Sequence, residues 1–319
     1  MNEALLKLVL QGNRRAAGRL MRMLEDGIPL GMNILKQLYF QRSPSYCLGI
    51  TGIPGAGKST LINRLIAAYR ETGQRIGVIA VDPTSPFTHG AILGDRIRMQ
   101  EHALDDDVFI RSIATRGQLG GLSAAVTKVL VVMEAMAFDP VIIETVGVGQ
   151  DEVDIASYAH TTVVVVSPGT GDEIQAIKAG ILEAADIIVV NKADRFDADR
   201  TMSDLMNSLE LNPDAFHRPI EILAVSSLTG QGIDELFNRL NEHRQQLHDS
   251  GDFTKKAVQS QLRVLRGMVM ESAAKAIEQA FETDKRVEDI LSEIAKGEID
   301  PFTGADRVTA LLLSGNHEK

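Results

Sequence analysis

Cys47-Leu-Gly-Ile50-Thr51 runs directly into Gly52-Ile-Pro-Gly55-Ala56-Gly57-Lys58-Ser59-Thr60, and an apolar-periodic segment from Leu61 to Tyr69 follows without a break. Strand, glycine-rich loop and helix in that order are the context that a G-x-x-x-x-G-K-S phosphate loop requires. Glycines let successive backbone N–H groups converge on phosphate oxygens, and the helix N-terminus adds its positive end. Gly55, Ala56, Gly57, Lys58, Ser59 and Thr60 are the predicted nucleotide contacts. Lys58 is expected to reach the β- and γ-phosphates and to stabilise charge during transfer, and the Ser59 hydroxyl to ligate Mg²⁺. A nucleoside triphosphate site follows.

Working outward, short apolar runs alternate with helical stretches. The runs are 47–50, 76–81, 108–110, 140–143, 162–166, 187–190 and 222–225, each short and rich in β-branched residues. Such runs suit parallel strands buried on both faces. Helical segments such as Thr60–Glu71 and Leu122–Ala137 lie between them. The predicted fold class is α/β: a P-loop NTPase with a mostly parallel sheet flanked by helices, ligands gathering at the strand C-termini. Residues 1–42 read as an N-terminal helical extension, with Asn13 as an N-cap and Gly27 with Pro29 as a stop. Residues 43–248 form the nucleotide domain. Residues 249–319 form a C-terminal helical arm, in which Val258, Leu262, Leu265, Val269, Ala273, Ile277 and Phe281 recur every three or four positions. That stripe needs either a partner surface or the chain's own N-terminal helices. A last helix is expected to start at Asp300-Pro301.

Composition bounds the partners. With 319 residues, 44% hydrophobic and 24% charged, the chain can bury a proper core. Lys plus Arg is 33 against 43 for Asp plus Glu, a net charge of −10 that argues against nucleic acid or an anionic membrane as a partner. One cysteine, Cys47, excludes an internal disulfide, and the seven histidines show no ligand spacing. Without a signal peptide or a span of about 20 apolar residues, a cytoplasmic location is expected.

Further motifs define the ligand. Asn191-Lys192-Ala-Asp194 follows the apolar run 187–190. An Asp there can accept from both N1–H and the 2-amino group of guanine, a match adenine cannot supply. Ser226-Ser227-Leu228-Thr-Gly230 sits where a backbone N–H would meet guanine O6, so GTP is favoured over ATP. Glu144-Thr-Val-Gly147-Val148-Gly-Gln150 closes another strand. An acid here holds Mg²⁺ directly or through water, and Gly147 can offer its N–H to the γ-phosphate. Glu in place of the usual Asp favours a water-mediated or base-like role over simple capping. Val148 stands where many GTPases keep a water-orienting Gln, so intrinsic hydrolysis should be slow unless Gln150 or a partner residue substitutes. Asp82 and Asp95 lie on a Pro/Gly-rich stretch suited to a mobile switch whose ends meet the metal. For Asp95, a metal or water-activating role and helix capping before Arg96 both remain open.

These stretches resemble the methylmalonyl-CoA mutase-associated GTPases, chaperones of adenosylcobalamin-dependent mutases whose older family name is the arginine/ornithine transport ATPase-kinase type. The resemblance runs through G-I-P-G-A-G-K-S-T, V-D-P-T-S-P-F-T-H-G-A-I-L-G-D-R-I-R-M, T-R-G-Q-L-G-G-L-S, E-T-V-G-V-G-Q, P-G-T-G-D-E-I-Q-A-I-K-A-G, N-K-A-D and S-S-L-T-G, almost the whole chain. It implies phosphate and Mg²⁺ contacts from Lys58 and Ser59, and acids around the metal from Asp82, Asp95 and Glu144. It also implies a guanine reader from Asn191, Lys192 and Asp194, and a further switch around Gln175 and Lys178 that signals nucleotide state. His89 departs from the family pattern, which has a second glycine there. The implied partner is an adenosylcobalamin-dependent acyl-CoA mutase. A homodimer is implied as well, with Mg²⁺ and GTP or GDP bound and no cobalamin held directly. Two rivals fit less well: a nickel-inserting GTPase metallochaperone should show Cys/His motifs, and a P-loop kinase has no use for a guanine-selective loop.

Overall fold

The computed structural model describes residues 2–83, 102, 104–115, 121–145, 155, 158–169, 182–211 and 220–314. It forms two compact units, Met1–Val264 and Leu265–Lys319.

In the first unit the helices are α1 (Asn2–Leu10), α2 (Arg14–Glu25), α3 (Pro29–Tyr39), α4 (Lys58–Glu71), α5 (Gly121–Ala135), α6 (Ala198–Leu211) and α7 (Ile233–Asp249). The strands are β1 (Cys47–Gly52), β2 (Ile76–Pro83), β3 (Val108–Thr115), β4 (Val141–Thr145), β5 (Thr161–Val166), β6 (Ile187–Val190) and β7 (Glu221–Ala224). They make one seven-stranded sheet in the order β3-β2-β4-β1-β5-β6-β7, every pairing parallel. Each apolar run read from the sequence is a strand of this sheet.

Burial on both faces explains why the runs are unbroken. Alternate residues of β4 go to opposite sides: Val141 and Ile143 pack with α1, α2, α3 and α5, while Ile142 packs with α4 and α7. Beyond β5, Val164, Ile188 and Val190 pack against Leu205 of α6. The N-terminal helices thus cover the sheet's α5 face, with Ala17, Leu20, Met21, Ile34 and Leu38 buried. Asn13 caps α2 as expected, its Oδ1 accepting from Ala16 N at 2.9 Å. Pro29 opens α3 after Gly27 takes the left-handed φ of 67°.

Helix α8 (Asp252–Thr283) is 32 residues long and spans the boundary between the two units. In the second unit, α9 (Lys285–Ala295) and α10 (Pro301–Ser314) bury Val287, Ile290 and Val308. The predicted Asp300-Pro301 start is present: Asp300 Oδ1 accepts from Phe302 N and Thr303 N at 2.9 and 3.0 Å. Along α8 the apolar stripe is exposed, Leu262 by 61% and Val269 by 58%. No helix among the described residues is long and apolar enough to cross a membrane.

The sheet end opposite the phosphate loop carries a buried polar layer. His160 Nδ1 accepts from Cys47 N at 2.9 Å, which places the ring's proton on Nε2. The ring stacks on Phe253 of α8 at 4.1 Å, and Lys256 donates to its backbone carbonyl at 2.6 Å. Burial, reinforced by the positive charge of Lys256, pushes the imidazole down from 6.5 to about 4. His160 therefore stays neutral in the folded chain at pH values where the unfolded chain binds a proton. Its contribution is complete above pH 6.5 and lost as pH falls towards 4, up to about 3 kcal/mol. In urea titrations His160→Gln, which keeps an acceptor for Cys47 N, should show a flatter stability profile across that window than the parent chain. An equal acid loss in both would refute the assignment.

Candidate nucleotide site

β1 ends between β4 and β5, and the phosphate loop leaves from its C-terminal edge. The exit requires glycine: Gly52 has φ 136°, and a Cβ there would sit 1.9 Å from Val165 O. Gly57 caps α4 with φ 90°, and a Cβ there would lie 2.4 Å from Asn191 Nδ2. The second glycine is thus fixed by a residue from the far side of the sheet as well as by the turn.

Lys58 is buried, its ammonium donating to Gly52 O at 2.7 Å and Ile53 O at 3.0 Å. The loop's own carbonyls hold the charge at the mouth of the helix N-terminus, where a phosphate oxygen is a stronger partner. Ser59 Oγ donates to Glu144 Oε1 at 2.9 Å, both residues being buried. Glu144 arrives there because it pairs with Ile50 of β1 on one side and Ala80 of β2 on the other. Thr145, the next residue, donates to Thr51 Oγ1 at 2.9 Å and ties β4 to the strand that carries the loop. Asp82 lies two residues beyond Ala80 on the same edge, paired in register with Ala114.

The side expected from the sequence to meet the base is built by β6 and β7. Asn191 extends the ladder, its N–H donating to Val166 O at 2.8 Å. Its side chain, 1% exposed, spans two other loops. Nδ2 donates to Ala56 O at 2.7 Å, while Oδ1 accepts from Ser227 N at 3.0 Å and Ser227 Oγ at 2.8 Å. Lys192, left-handed at φ 60°, sends Nζ to Gly55 O at 2.8 Å. Asp194 is exposed, and its Oδ1 accepts from Ser226 Oγ, which in turn accepts from Thr229 N at 3.2 Å.

The structure thus brings Lys58, Ser59 and Glu144 together at the phosphate end. Asn191, Lys192, Asp194, Ser226 and Ser227 gather beside it, with Gly55 and Ala56 between. Leu228 is exposed beside them. Asp95, Gly147, Gln175 and Lys178 lie outside the described residues, as do His89, Val148 and Gln150 and the side chain of Asp82. Sequence reasoning missed Arg64, which donates from Nε to Ser227 O at 2.9 Å and from Nη2 to Leu228 O at 2.8 Å. Its signal was positional: two helical turns beyond Gly57 it returns to the face of α4 that bears the loop.

A parallel sheet whose first strand feeds this loop, with an acid on the neighbouring strand beside the loop serine, makes the chain a P-loop NTPase by fold. The family model of the methylmalonyl Co-A mutase-associated GTPase MeaB matches residues 17–282, and the chain belongs to that family. A GTPase-named protein of Pyrococcus abyssi is 42% identical, the match covering 99% of this chain and 98% of its own. The mouse protein named methylmalonic aciduria type A homolog, mitochondrial, is 36% identical over 66% of this chain and 52% of its own length. Among solved structures, that of a LAO/AO transport system kinase aligns with a TM-score of 0.73 over 98% of this chain and 97% of that one, at 24% identity, which supports the fold.

Gly57→Ala tests the site as assembled. The added methyl drives into the Asn191 amide and breaks the link between loops, so affinity for a fluorescent guanine nucleotide should fall on the order of a hundredfold. Unaltered affinity would show that the two loops bind independently.

Proposed function

We propose that this chain is a GTP-hydrolysing chaperone of an adenosylcobalamin-dependent acyl-CoA mutase, methylmalonyl-CoA mutase or a relative, gating cofactor loading and protecting the holoenzyme. The observation that carries the nucleotide half is the exposed Asp194 carboxylate, set by Ser226 and tied through Asn191 to the phosphate loop. The mutase half follows from the family's description.

In this reading Lys58 exchanges its two carbonyl partners for β- and γ-phosphate oxygens and offsets charge on the transferring phosphoryl group. Asp194 accepts from the guanine N1–H and 2-amino group, and a backbone N–H of the 226–228 loop meets O6. Glu144 or Asp95 positions the attacking water. A hydroxyl and a carboxylate 2.9 Å apart, Ser59 and Glu144, form a hard oxygen donor set that fits Mg²⁺. Asp82 and Asp95 would complete it, and Mg²⁺ bound with the nucleotide supplies positive charge against the phosphates. Cobalamin is not held by this chain.

Gln175 and Lys178 belong to the switch that reports nucleotide state to the mutase. Residues 249–319 serve as a dimerisation arm. The exposed stripe on α8 supports that assignment, since a contiguous apolar face of this length calls for a cover. The protein acts in the cytoplasm, away from nucleic acid and membrane.

The test is steady-state GTP hydrolysis by the purified chain, alone and with the adenosylcobalamin-dependent mutase of the same organism. With Val148 in place of a water-orienting Gln, turnover alone should be slow and the mutase should raise it about tenfold or more. No stimulation, with no complex on size exclusion, would remove the mutase from the account.

A further inference from the structure

We infer that Arg64 is a positioning residue for guanine recognition, holding the peptide between Ser227 and Leu228 so that the Leu228 N–H faces the base. The inference rests on the guanine-nucleotide reading above and names the donor that reads O6.

Four of the five backbone N–H groups from Ser226 to Gly230 are committed. Ser226 donates to Gln231 O at 2.9 Å, Ser227 to Asn191 Oδ1 at 3.0 Å, Thr229 to Ser226 Oγ at 3.2 Å and Gly230 to Ser226 O at 2.8 Å. The Leu228 N–H has no protein partner among the described residues. In a trans peptide the C=O and N–H point in opposite directions. Arg64 Nε takes the Ser227 carbonyl at 2.9 Å, so the Leu228 N–H of that same peptide is turned away from α4. Arg64 Nη2 takes the Leu228 carbonyl at 2.8 Å and fixes the next peptide too. The planar guanidinium thus grips two successive carbonyls, a geometry that a lysine ammonium cannot reproduce. Packing does not do this instead, because the Leu228 side chain is 75% exposed.

The arginine stands on α4, whose first residues form the phosphate loop. Seven residues beyond Gly57, it lies about 10 Å further along the helix axis. A rigid helix therefore sets the spacing between the phosphate grip and the O6 donor, alongside the Asn191 link.

The experiment compares the parent chain with Arg64→Ala and Arg64→Lys, titrating each with GDP, 6-thio-GDP, IDP and ADP. Thio substitution weakens the acceptor at position 6 and keeps the 2-amino group, whereas IDP keeps O6 and lacks the 2-amino group read by Asp194. Both variants should bind GDP about tenfold more weakly. Their preference for GDP over 6-thio-GDP should shrink, while the GDP to IDP ratio stays within about twofold of the parent's. Circular dichroism should show both variants folded. An equal loss for GDP, 6-thio-GDP and IDP would make Arg64 a merely structural residue and overturn the inference. So would an unchanged GDP affinity, or full recovery in the lysine variant. Equal binding of GDP and ADP by the parent chain would sink the guanine reading itself, a failure visible before any variant is made.

Discussion

The side-chain amide of Asn191 is the constraint on which the nucleotide site depends. It leaves the end of β6, donates to the phosphate loop at Ala56 and accepts twice from Ser227 after β7. Each end of the amide is buried, so an unmade bond would cost about 1–3 kcal/mol rather than being repaid by water. The glycine at position 57 exists partly for this contact, since any Cβ would occupy the space of the amide nitrogen. Lys192 repeats the link one residue on, through Gly55 O. Three loops that are far apart in sequence thus behave as one rigid cradle. Phosphate grip and base reading are expected to stand or fall together.

The sheet delivers these loops to one edge because of what its interior will accept. With helices on both faces, the middle of each central strand is apolar and polar residues such as Glu144 and Thr161 fall at strand ends, and that is why the strands could be read as uninterrupted runs. The exception is instructive. The sequence suggested a strand over 108–110, but β3 extends to Thr115. Arg111 and Ser112 break the apolar run, yet β3 is an edge strand, and there Arg111 reaches sideways to pair with Glu25 at the end of α2. A polar residue in an edge strand does not end the strand when a nearby helix supplies its partner.

The same contrast divides the site. The phosphate loop and the Asn191–Asp194 segment were legible because each carries its chemistry in a contiguous run after a strand. Arg64 was not, because its partners follow β7 and only the folded sheet brings them near. That the Asn191 side chain bonds to Ala56 and Ser227 was equally invisible, since spacing reports which residues are present and not which way they turn. His160 shows the limit most plainly. Nothing in its sequence neighbourhood marks it, and its neutral state follows from burial under Phe253 and beside Lys256.

The central claim, that one amide locks the phosphate and base loops into a single unit, is tested most directly by hydrogen exchange. The measurement compares the nucleotide-free parent chain with Asn191→Ala, following amides of residues 53–59 and 226–230 by mass spectrometry. The account predicts faster exchange in both segments at once, by about tenfold or more, with the strands β1 and β5 unchanged. Exchange that rises in only one of the two loops, or in neither, would contradict it.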